Sequence, residues 1–341
     1  MAEGLVRVRH WMRYGNLWGI EDTYTFDPES DLRTLIPDSH FGSIRINSLG
    51  FRGPELEVPK PQGTIRFAFL GASTTYCAEV SSNEMTWPHM VWQRLQQRWP
   101  GVEFDYVNGG VPGYGASASL RNLQFNIKKL EPDVIVIYHA VNDLSGNSFE
   151  QAVRRGLAQQ QTEKELSWLS RYSLLSYLVE KNMRILTQQA RATDAEKKLK
   201  VDAEELAAPF RADLKLLTEA SRKTSALVVL TTFAHQLRRD QTPEQQVEAA
   251  VTNLYTMPYM SIDGLLGGYE SYNRVIQEVA AETGALLIGN EDSIPGDRVH
   301  FHDSVHFTDA GSEAMADRVA DVLTRSGAVE RLVTTGVVSR Q

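Results

Sequence analysis

Asp303 and His306, near the carboxyl end of the chain, have a spacing that lets a carboxylate hold an imidazole in one tautomer. Far upstream, Ser73 lies in the segment Gly-Ala-Ser-Thr-Thr of residues 71–75, directly after an apolar run. A serine hydroxyl is a weak nucleophile at neutral pH, and an imidazole that takes its proton activates it. These residues predict nucleophilic catalysis, provided that the fold brings Ser73 to His306.

Each of these features also has a purely structural explanation. Ser73 or Thr74 could satisfy the free N–H groups at the start of a helix, and Asp303 could cap a helix beside a packed His306. The segment around Ser73 also lacks the glycine two positions after the serine that marks the nucleophile turn of α/β-hydrolases. Taken alone, the segment at Ser73 is therefore a weak indication of catalysis.

Two further segments lie between these residues, each closing an apolar run: Gly-Val-Pro-Gly at 110–113 and Ala-Val-Asn-Asp at 140–143. In this order the four segments resemble those of the SGNH hydrolases, the GDSL esterase/lipase superfamily. The resemblance covers residues 65 to 325, most of the chain. It implies an α/β/α sandwich of the flavodoxin-like type around a mostly parallel five-stranded sheet.

Site residues follow from the resemblance position by position. Ser73 corresponds to the nucleophile, Asp303 and His306 to its acid and base, and Ser73, Gly113 and Asn142 to the oxyanion hole. No cofactor and no metal are expected. One position departs from the family pattern, because Ala72 stands where the family usually has an aspartate, which is not part of the triad.

The residue types at Gly113 and Asn142 suit this role. A glycine N–H can approach a substrate where a Cβ would obstruct it, and an asparagine amide can donate a hydrogen bond to a developing oxyanion. The alternatives are a plain strand-to-helix loop around Gly113 and a turn stabilised by the Asn142 side chain. Asp143 is expected to cap or brace the same loop without a catalytic role.

A metal site is the competing explanation for the last segment. His300, His302, Asp303 and His306 lie within seven residues, and alternation puts His300 and His302 on one side of an extended chain. This hypothesis leaves the segments at 71–75, 110–113 and 140–143 unexplained, so the serine mechanism is preferred.

The pattern of apolar runs predicts how these residues are positioned. Strands are predicted at 65–70, 103–107, 134–138, 226–231 and 285–288, and helices at 86–99, 116–130, 269–283 and 309–325. This alternation favours a parallel sheet covered by helices on both faces. The segments containing Ser73, Gly113 and Asn142 each follow a strand, and ligands of such sheets bind beyond the carboxyl ends of the strands.

The predicted organisation is one core domain with additions. Residues 1–64 are expected to wrap on the core as an extension, residues 65–330 to form the domain, and residues 331–341 to form a tail. A helical insertion is predicted at about residues 145–206, with a helix at 172–191 and a charged stretch at 194–205. A lid, a dimer surface and plain packing all remain open for it.

Composition limits the partners and the compartment. The 341 residues carry a net charge of −8, which argues against general nucleic-acid binding, and the one cysteine, Cys77, excludes an intrachain disulfide.

No apolar segment reaches the length of a membrane span, and no signal-peptide core is present. The basic, amphipathic residues 1–18 predict either a surface helix or a segment next to a membrane. Family members with a stretch like residues 46–53 often carry a membrane helix just before it. An extracytoplasmic location with a membrane anchor therefore remains an open alternative, and the sequence does not decide the oligomeric state.

Three functions remain open at this point. The first is hydrolysis of short-chain acyl esters, including O-acetyl groups of carbohydrates, since similar members belong to surface-polysaccharide systems. The second is transfer of the acyl group to a sugar hydroxyl by the same residues, and the third is a non-catalytic glycan-binding subunit. A Gly-rich loop predicted at 251–272, with apolar residues such as Leu254, Met257 and Leu265, would line an acyl or sugar pocket or pack on its own domain.

Overall fold

A central sheet of five parallel strands organises the protein, which we describe from a computed structural model. The structure describes residues 2–4, 6–8, 24–158, 173–191, 198–199 and 201–338. In chain order the sheet strands are β5 (Ile65–Gly71), β6 (Phe104–Gly110), β7 (Val134–Tyr138), β8 (Leu227–Thr231) and β9 (Leu286–Ile288). The spatial order is β6-β5-β7-β8-β9, which is the flavodoxin-like order, and this confirms the predicted fold class.

The sheet is buried on both faces. Every residue of β5 and β7 is buried, as expected for parallel strands covered by helices on both sides. The strand register places Gly71 opposite Gly110 on one side and Tyr138 on the other. The carboxyl ends of three neighbouring strands are therefore level, and the chain leaves all three at one edge of the sheet.

Helices cover the sheet and connect its strands. Between β5 and β7 lie α1 (Ser73–Tyr76), α2 (Trp87–Arg98) and α3 (Ala116–Asn122), and after β7 come α4 (Val141–Arg154), α5 (Leu174–Arg191) and α6 (Ala203–Arg222). The remaining helices are α7 (Pro243–Ala249), α8 (Val251–Thr256), α9 (Ile262–Thr283), α10 (Asp309–Arg325) and α11 (Ala328–Val338).

Local sequence explains where several helices begin and end. The Thr86 side chain accepts a hydrogen bond from the His89 N–H at the start of α2, and Thr308 does the same for Gly311 at the start of α10. Gly284, with a φ of 69°, ends α9 in the left-handed conformation that favours glycine. The helix predicted at 116–130 is α-helical only to Asn122 and continues as a π turn and a 3-10 turn to Leu130.

The prediction of a loop at 251–272 is wrong. The segment forms α8 and the first half of α9, and its apolar side chains, including Leu254, Met257 and Leu265, are buried in the main core. Gly268 serves packing instead of a turn, since a Cβ at that position would lie 2.9 Å from a methyl group of Leu144. Leu254, Met257 and Leu265 pack on their own domain, which is the alternative that the sequence left open.

The regions outside the sheet show how the additions are arranged. Strands β1 (Tyr24–Asp27) and β2 (Leu32–Leu35) pair antiparallel, as do β3 (His40–Phe41) and β4 (Ile44–Arg45). Leu35, Phe41, Ile44 and Ile46 pack around Tyr76 of α1. The predicted helix at 172–191 is present as α5, whereas residues 194–197 and 200 of the charged stretch and most of residues 1–18 lie outside the described residues.

Residues 331–338, predicted as a tail, continue α11. None of the helices in the described ranges combines the length and the apolar character of a transmembrane span.

An ion pair between a buried arginine and a partly buried aspartate supports the sheet at the edge opposite Ser73. Arg66 of β5 is fully buried, and its guanidinium makes two hydrogen bonds, of 2.6 and 2.8 Å, to Asp105 of β6. We predict that Asp105→Asn lowers the free energy of unfolding by about 3 kcal/mol, because it leaves a buried cation without its carboxylate. Equilibrium urea denaturation measures this change.

The matched control is Asp321→Asn, which breaks an ion pair with Arg325 whose side chains are 61% and 80% exposed. That change should alter the unfolding free energy by less than about 0.5 kcal/mol. Equal losses in the two variants would contradict the role assigned to the Arg66–Asp105 pair.

Candidate active site

Ser73 lies at the carboxyl edge of the sheet, as the first residue of α1, two positions after β5 ends. Two glycines allow this short helix to pack on the strand ends. A Cβ on Gly71 would lie 2.9 Å from the carbonyl oxygen of Tyr138, and a Cβ on Gly110 would lie 2.5 Å from the backbone nitrogen of Tyr76. The close packing places the Ser73 side chain at a fixed position beside β6 and β7.

Asp303 and His306 are presented by a loop that runs back on itself before α10. Phe301 and Phe307 are buried and form an antiparallel bridge, and the His302 N–H donates a 2.8 Å hydrogen bond to the His306 carbonyl oxygen. A contact with α8 also holds the loop, because the buried Ser304 hydroxyl oxygen accepts a hydrogen bond from the Thr252 N–H at 2.9 Å. Packing therefore holds the Asp303–His306 segment in one conformation.

The structure brings Ser73, His306 and Asp303 together. The His306 Nε2 atom lies 2.8 Å from the Ser73 hydroxyl oxygen. The Nδ1 atom lies 2.9 and 3.0 Å from the two Asp303 carboxylate oxygens. A carboxylate accepts hydrogen bonds, so it favours the tautomer with the proton on Nδ1, and Nε2 is then free to accept the serine proton. This is the geometry of an activated serine nucleophile.

The electrostatics of the pair follow from the same contacts. Burial alone would raise the pKa of Asp303, but hydrogen bonds from the His306 ring and from the Val305 and His306 N–H groups outweigh it, so this pKa lies well below its usual range. Burial lowers the pKa of His306, but the hydrogen bond and charge of Asp303, together with the charge of Glu79, raise it above its ordinary value. The carboxylate is therefore charged at neutral pH and stabilises a protonated imidazole.

The Gly113 loop is a tight turn beyond β6. Pro112 and Gly113 occupy its central positions, and the Tyr114 N–H donates a 3.1 Å bond to the Val111 carbonyl oxygen. Gly113 has a φ of 90°, as the third position of a type II turn requires. Gly113 is exposed at this edge.

Asn142 is the second residue of α4, and one hydrogen bond connects it to the Gly113 loop. Its side-chain amide donates a 2.9 Å bond to the Tyr114 carbonyl oxygen. An amide nitrogen carries two N–H groups, so this bond leaves one for another acceptor. The Ser73 N–H is at the start of α1, and the first N–H groups of a helix have no acceptor within that helix.

Asp143, the residue after Asn142, packs against Gly115 just beyond the Gly113 loop. It accepts a 2.9 Å bond from the Ala116 N–H at the start of α3, which is the bracing role that the sequence suggested. Burial raises the pKa of Asp143 to about 7. The neighbouring His139 is fully buried with a pKa lowered to about 3, and its Nε2 lies 2.8 Å from the Ser119 hydroxyl oxygen. This second serine–histidine pair has no access to solvent, and no sequence pattern signalled its burial.

Arg52 is a residue of the site that the sequence analysis missed. Its guanidinium is buried and donates hydrogen bonds to the carbonyl oxygens of Tyr76 and Cys77 and to the Asn83 side chain. The last carbonyl groups of a helix lack acceptor partners within it, and a cation there is favourable. Arg52 thus stabilises the end of the helix that carries Ser73. The only sequence feature that points to Arg52 is its place in the stretch 46–53, which resembles a stretch of other family members.

The histidines of the last segment do not converge on one point. His300 Nδ1 lies 2.7 Å from Asp297, His302 Nε2 lies 3.4 Å from Glu79, and His306 contacts Asp303. Within the part of the chain that the structure describes, no three histidine, cysteine or carboxylate side chains are grouped as a metal site would need. The geometry therefore offers the metal hypothesis no support.

The Asp303–His306 contact predicts a measurable change in the titration of His306. In Asp303→Asn the negative charge is lost while burial remains, so the pKa of His306 should fall below that of the native protein. NMR titration of the imidazole nitrogens measures this value. Asp297→Asn, which removes the carboxylate beside His300, is the matched control and should leave the pKa of His306 unchanged. An identical His306 pKa in the native protein and in Asp303→Asn would contradict the assigned contact.

Comparison with known proteins identifies one family. The family described as GDSL-like Lipase/Acylhydrolase matches residues 69–314. No curated protein has a sequence that matches this chain. Solved structures similar to it include a catalytic mutant of Axe2, an acetylxylan esterase from Geobacillus stearothermophilus. That protein is 14% identical, with 77% of this chain and 95% of that chain covered and a TM-score of 0.47. Another is TesA, 16% identical, with 76% and 97% covered and a TM-score of 0.44.

Proposed function

The chain belongs to the GDSL-like lipase/acylhydrolase family, and from this premise we propose that it is a serine esterase of short-chain acyl esters. Ser73 acts as nucleophile, His306 as general base and acid, and Asp303 as the carboxylate that orients the imidazole. The observation that carries the proposal is the 2.8 Å contact between His306 Nε2 and the Ser73 hydroxyl oxygen, with Nδ1 held by Asp303. A helix cap would not require an imidazole at that position.

The acylation half of the reaction uses these contacts in sequence. Nε2 of His306 takes the hydroxyl proton as the Ser73 oxygen attacks the ester carbonyl carbon, and a tetrahedral intermediate forms. The new oxyanion accepts hydrogen bonds from the Ser73 N–H, the Gly113 N–H and the Asn142 amide. The carbon–oxygen bond to the leaving group then breaks, His306 gives its proton to the departing alkoxide, and the acyl group remains on Ser73.

Deacylation repeats the cycle with water. His306 removes a proton from water as the water oxygen attacks the acyl carbonyl carbon, and the same donors stabilise the second oxyanion. The bond to Ser73 breaks, the serine oxygen recovers its proton from His306, and the carboxylic acid leaves. The base must be neutral at the start of each half, so the rate should rise as pH increases through the pKa of His306, which Asp303 and Glu79 raise.

The surroundings of the site support a small, hydrated substrate. Gly113 is exposed, and the neighbouring His302–Glu79 pair is polar, with the His302 side chain 45% exposed. Such a rim suits the hydroxyl groups of a carbohydrate better than a long acyl chain. We therefore extend the proposal to O-acetyl groups of carbohydrates, a substrate class first suggested by the stretch at residues 46–53.

Ser73→Ala tests the nucleophile. The variant should keep the fold and lower the turnover of p-nitrophenyl acetate by a factor of about 10⁴ or more, because no other group can form the acyl-enzyme. The assay should include p-nitrophenyl butyrate and octanoate, on which the native protein should be progressively slower. Ser119→Ala, which removes the serine of the buried serine–histidine pair, is the control and should retain activity. Unchanged turnover in Ser73→Ala would remove Ser73 from the mechanism.

Asn142→Ala tests the oxyanion donors. Loss of one such donor should reduce kcat by about 10² with little change in KM, since the donor acts mainly on the charge of the transition state. Asn147→Ala is the matched control, because Asn147 lies on the same helix and its amide donates instead to the Tyr272 hydroxyl at 2.7 Å. Steady-state kinetics should show normal kcat for that control. Equal kcat values in the two variants would be incompatible with an oxyanion role for Asn142.

A further inference from the structure

Arg33 lies on β2, 79 positions before Pro112 in the chain, and contacts the turn that carries Gly113. Its Nη2 atom donates a 2.9 Å hydrogen bond to the Pro112 carbonyl oxygen. We infer that Arg33 is a positioning residue that orients the Pro112–Gly113 peptide so that the Gly113 N–H faces the oxyanion, an inference that rests on the proposed esterase function.

The geometry of a trans peptide makes this contact consequential. The carbonyl oxygen and the N–H of one peptide unit point in opposite directions in the same plane. A hydrogen bond that fixes the Pro112 carbonyl oxygen on one side therefore fixes the Gly113 N–H on the other. Glycine suits this position for two reasons. Its φ is positive, and a Cβ there would lie 3.3 Å from the Arg33 Nη2 atom, on the side that the guanidinium occupies.

Two further contacts hold Arg33 itself in place. Its guanidinium carbon lies 4.2 Å from the centre of the Tyr24 ring, on the partner strand β1. The Tyr114 hydroxyl donates a 2.7 Å bond to the Arg33 carbonyl oxygen. Beside it, the buried Leu32 packs on Val111 and Tyr114. The β1–β2 hairpin and the Gly113 turn are thus joined through both side-chain and backbone groups.

The same contacts extend to the second oxyanion donor. Tyr114, whose hydroxyl is bonded to Arg33, offers its carbonyl oxygen to the Asn142 amide at 2.9 Å. A single connected set of hydrogen bonds therefore runs from Arg33 through the turn to Asn142. The hairpin before the sheet domain supplies part of the order that the oxyanion site needs before substrate binds.

Arg33 acts mainly by orienting the Pro112–Gly113 peptide, and not through the effect of its charge on the oxyanion. The residue is exposed, so water and salt screen its charge at the oxyanion. Its hydrogen bond polarises the shared peptide unit only moderately. A rotation of that peptide, in contrast, would remove one donor entirely, and loss of a whole donor lowers kcat by about 10² to 10³. A partial misorientation should therefore cost about tenfold in kcat.

The test compares Arg33→Met, Arg33→Lys and Arg121→Met in the p-nitrophenyl acetate assay, with Ser73→Ala alongside. Arg33→Met should lower kcat about tenfold with KM within about twofold of the native value, because only transition-state stabilisation is lost. Arg33→Lys keeps a cationic donor that can reach the Pro112 carbonyl oxygen and should recover most of the loss. Arg121→Met removes another tie to the same hairpin, the 2.9 Å pair with Asp31, and should leave kcat unchanged.

An independent measurement is the inhibition constant of a small boronic acid, whose tetrahedral serine adduct places an oxygen among the oxyanion donors. In Arg33→Met this constant should rise by the same factor by which kcat/KM falls, and a purely structural role would not produce that match. Native kcat in Arg33→Met, a raised KM at constant kcat, or an equal kcat loss in Arg121→Met would each overturn the inference. Activity in Ser73→Ala equal to that of the native protein would instead overturn the proposed function itself.

Discussion

The hydrogen bond between Ser73 and His306 joins side chains that are 233 positions apart in the chain, and it depends on the order of the strands. Ser73 follows β5, the second strand in the spatial order, and His306 follows β9, the edge strand on the other side of the sheet. The parallel arrangement makes this possible, because every strand ends at the carboxyl edge and each connection returns across a face of the sheet. The contact therefore joins segments that follow strands from the two sides of the sheet.

Two arginines extend this dependence to the residues that precede the sheet. Arg52 is bonded to the end of the helix that begins with Ser73, and Arg33 is bonded to the turn that contains Gly113. Arg52 is buried and Arg33 is exposed. We therefore expect substitutions at these two positions to affect the protein differently. Arg52 contributes to the stability of the core near Ser73, whereas Arg33 contacts an exposed turn, and we infer that its contact acts on catalysis more than on stability.

The sequence was sufficient for the five strands of the parallel sheet, and it singled out Ser73, Asp303 and His306, which the structure brings together. A run such as Val134–Tyr138 is apolar throughout because both faces of the sheet are covered, and its end marks the edge where polar residues collect. The 251–272 segment was misassigned because its glycines looked like turn residues, whereas Gly268 is in a helix that packs closely on Leu144. Arg33 contacts Pro112, and the buried His139 contacts Ser119. Each pair joins residues that are far apart in the sequence, and no local pattern encodes such pairs.

Labelling with a fluorophosphonate probe, followed by proteolysis and mass spectrometry, tests the central contact most directly, because the probe reacts only with an activated and accessible serine. The account predicts a single modified peptide, the one that contains Ser73, with labelling slowed strongly in His306→Ala. Modification at Ser119 or another serine, or labelling of Ser73 at the native rate without His306, would contradict it.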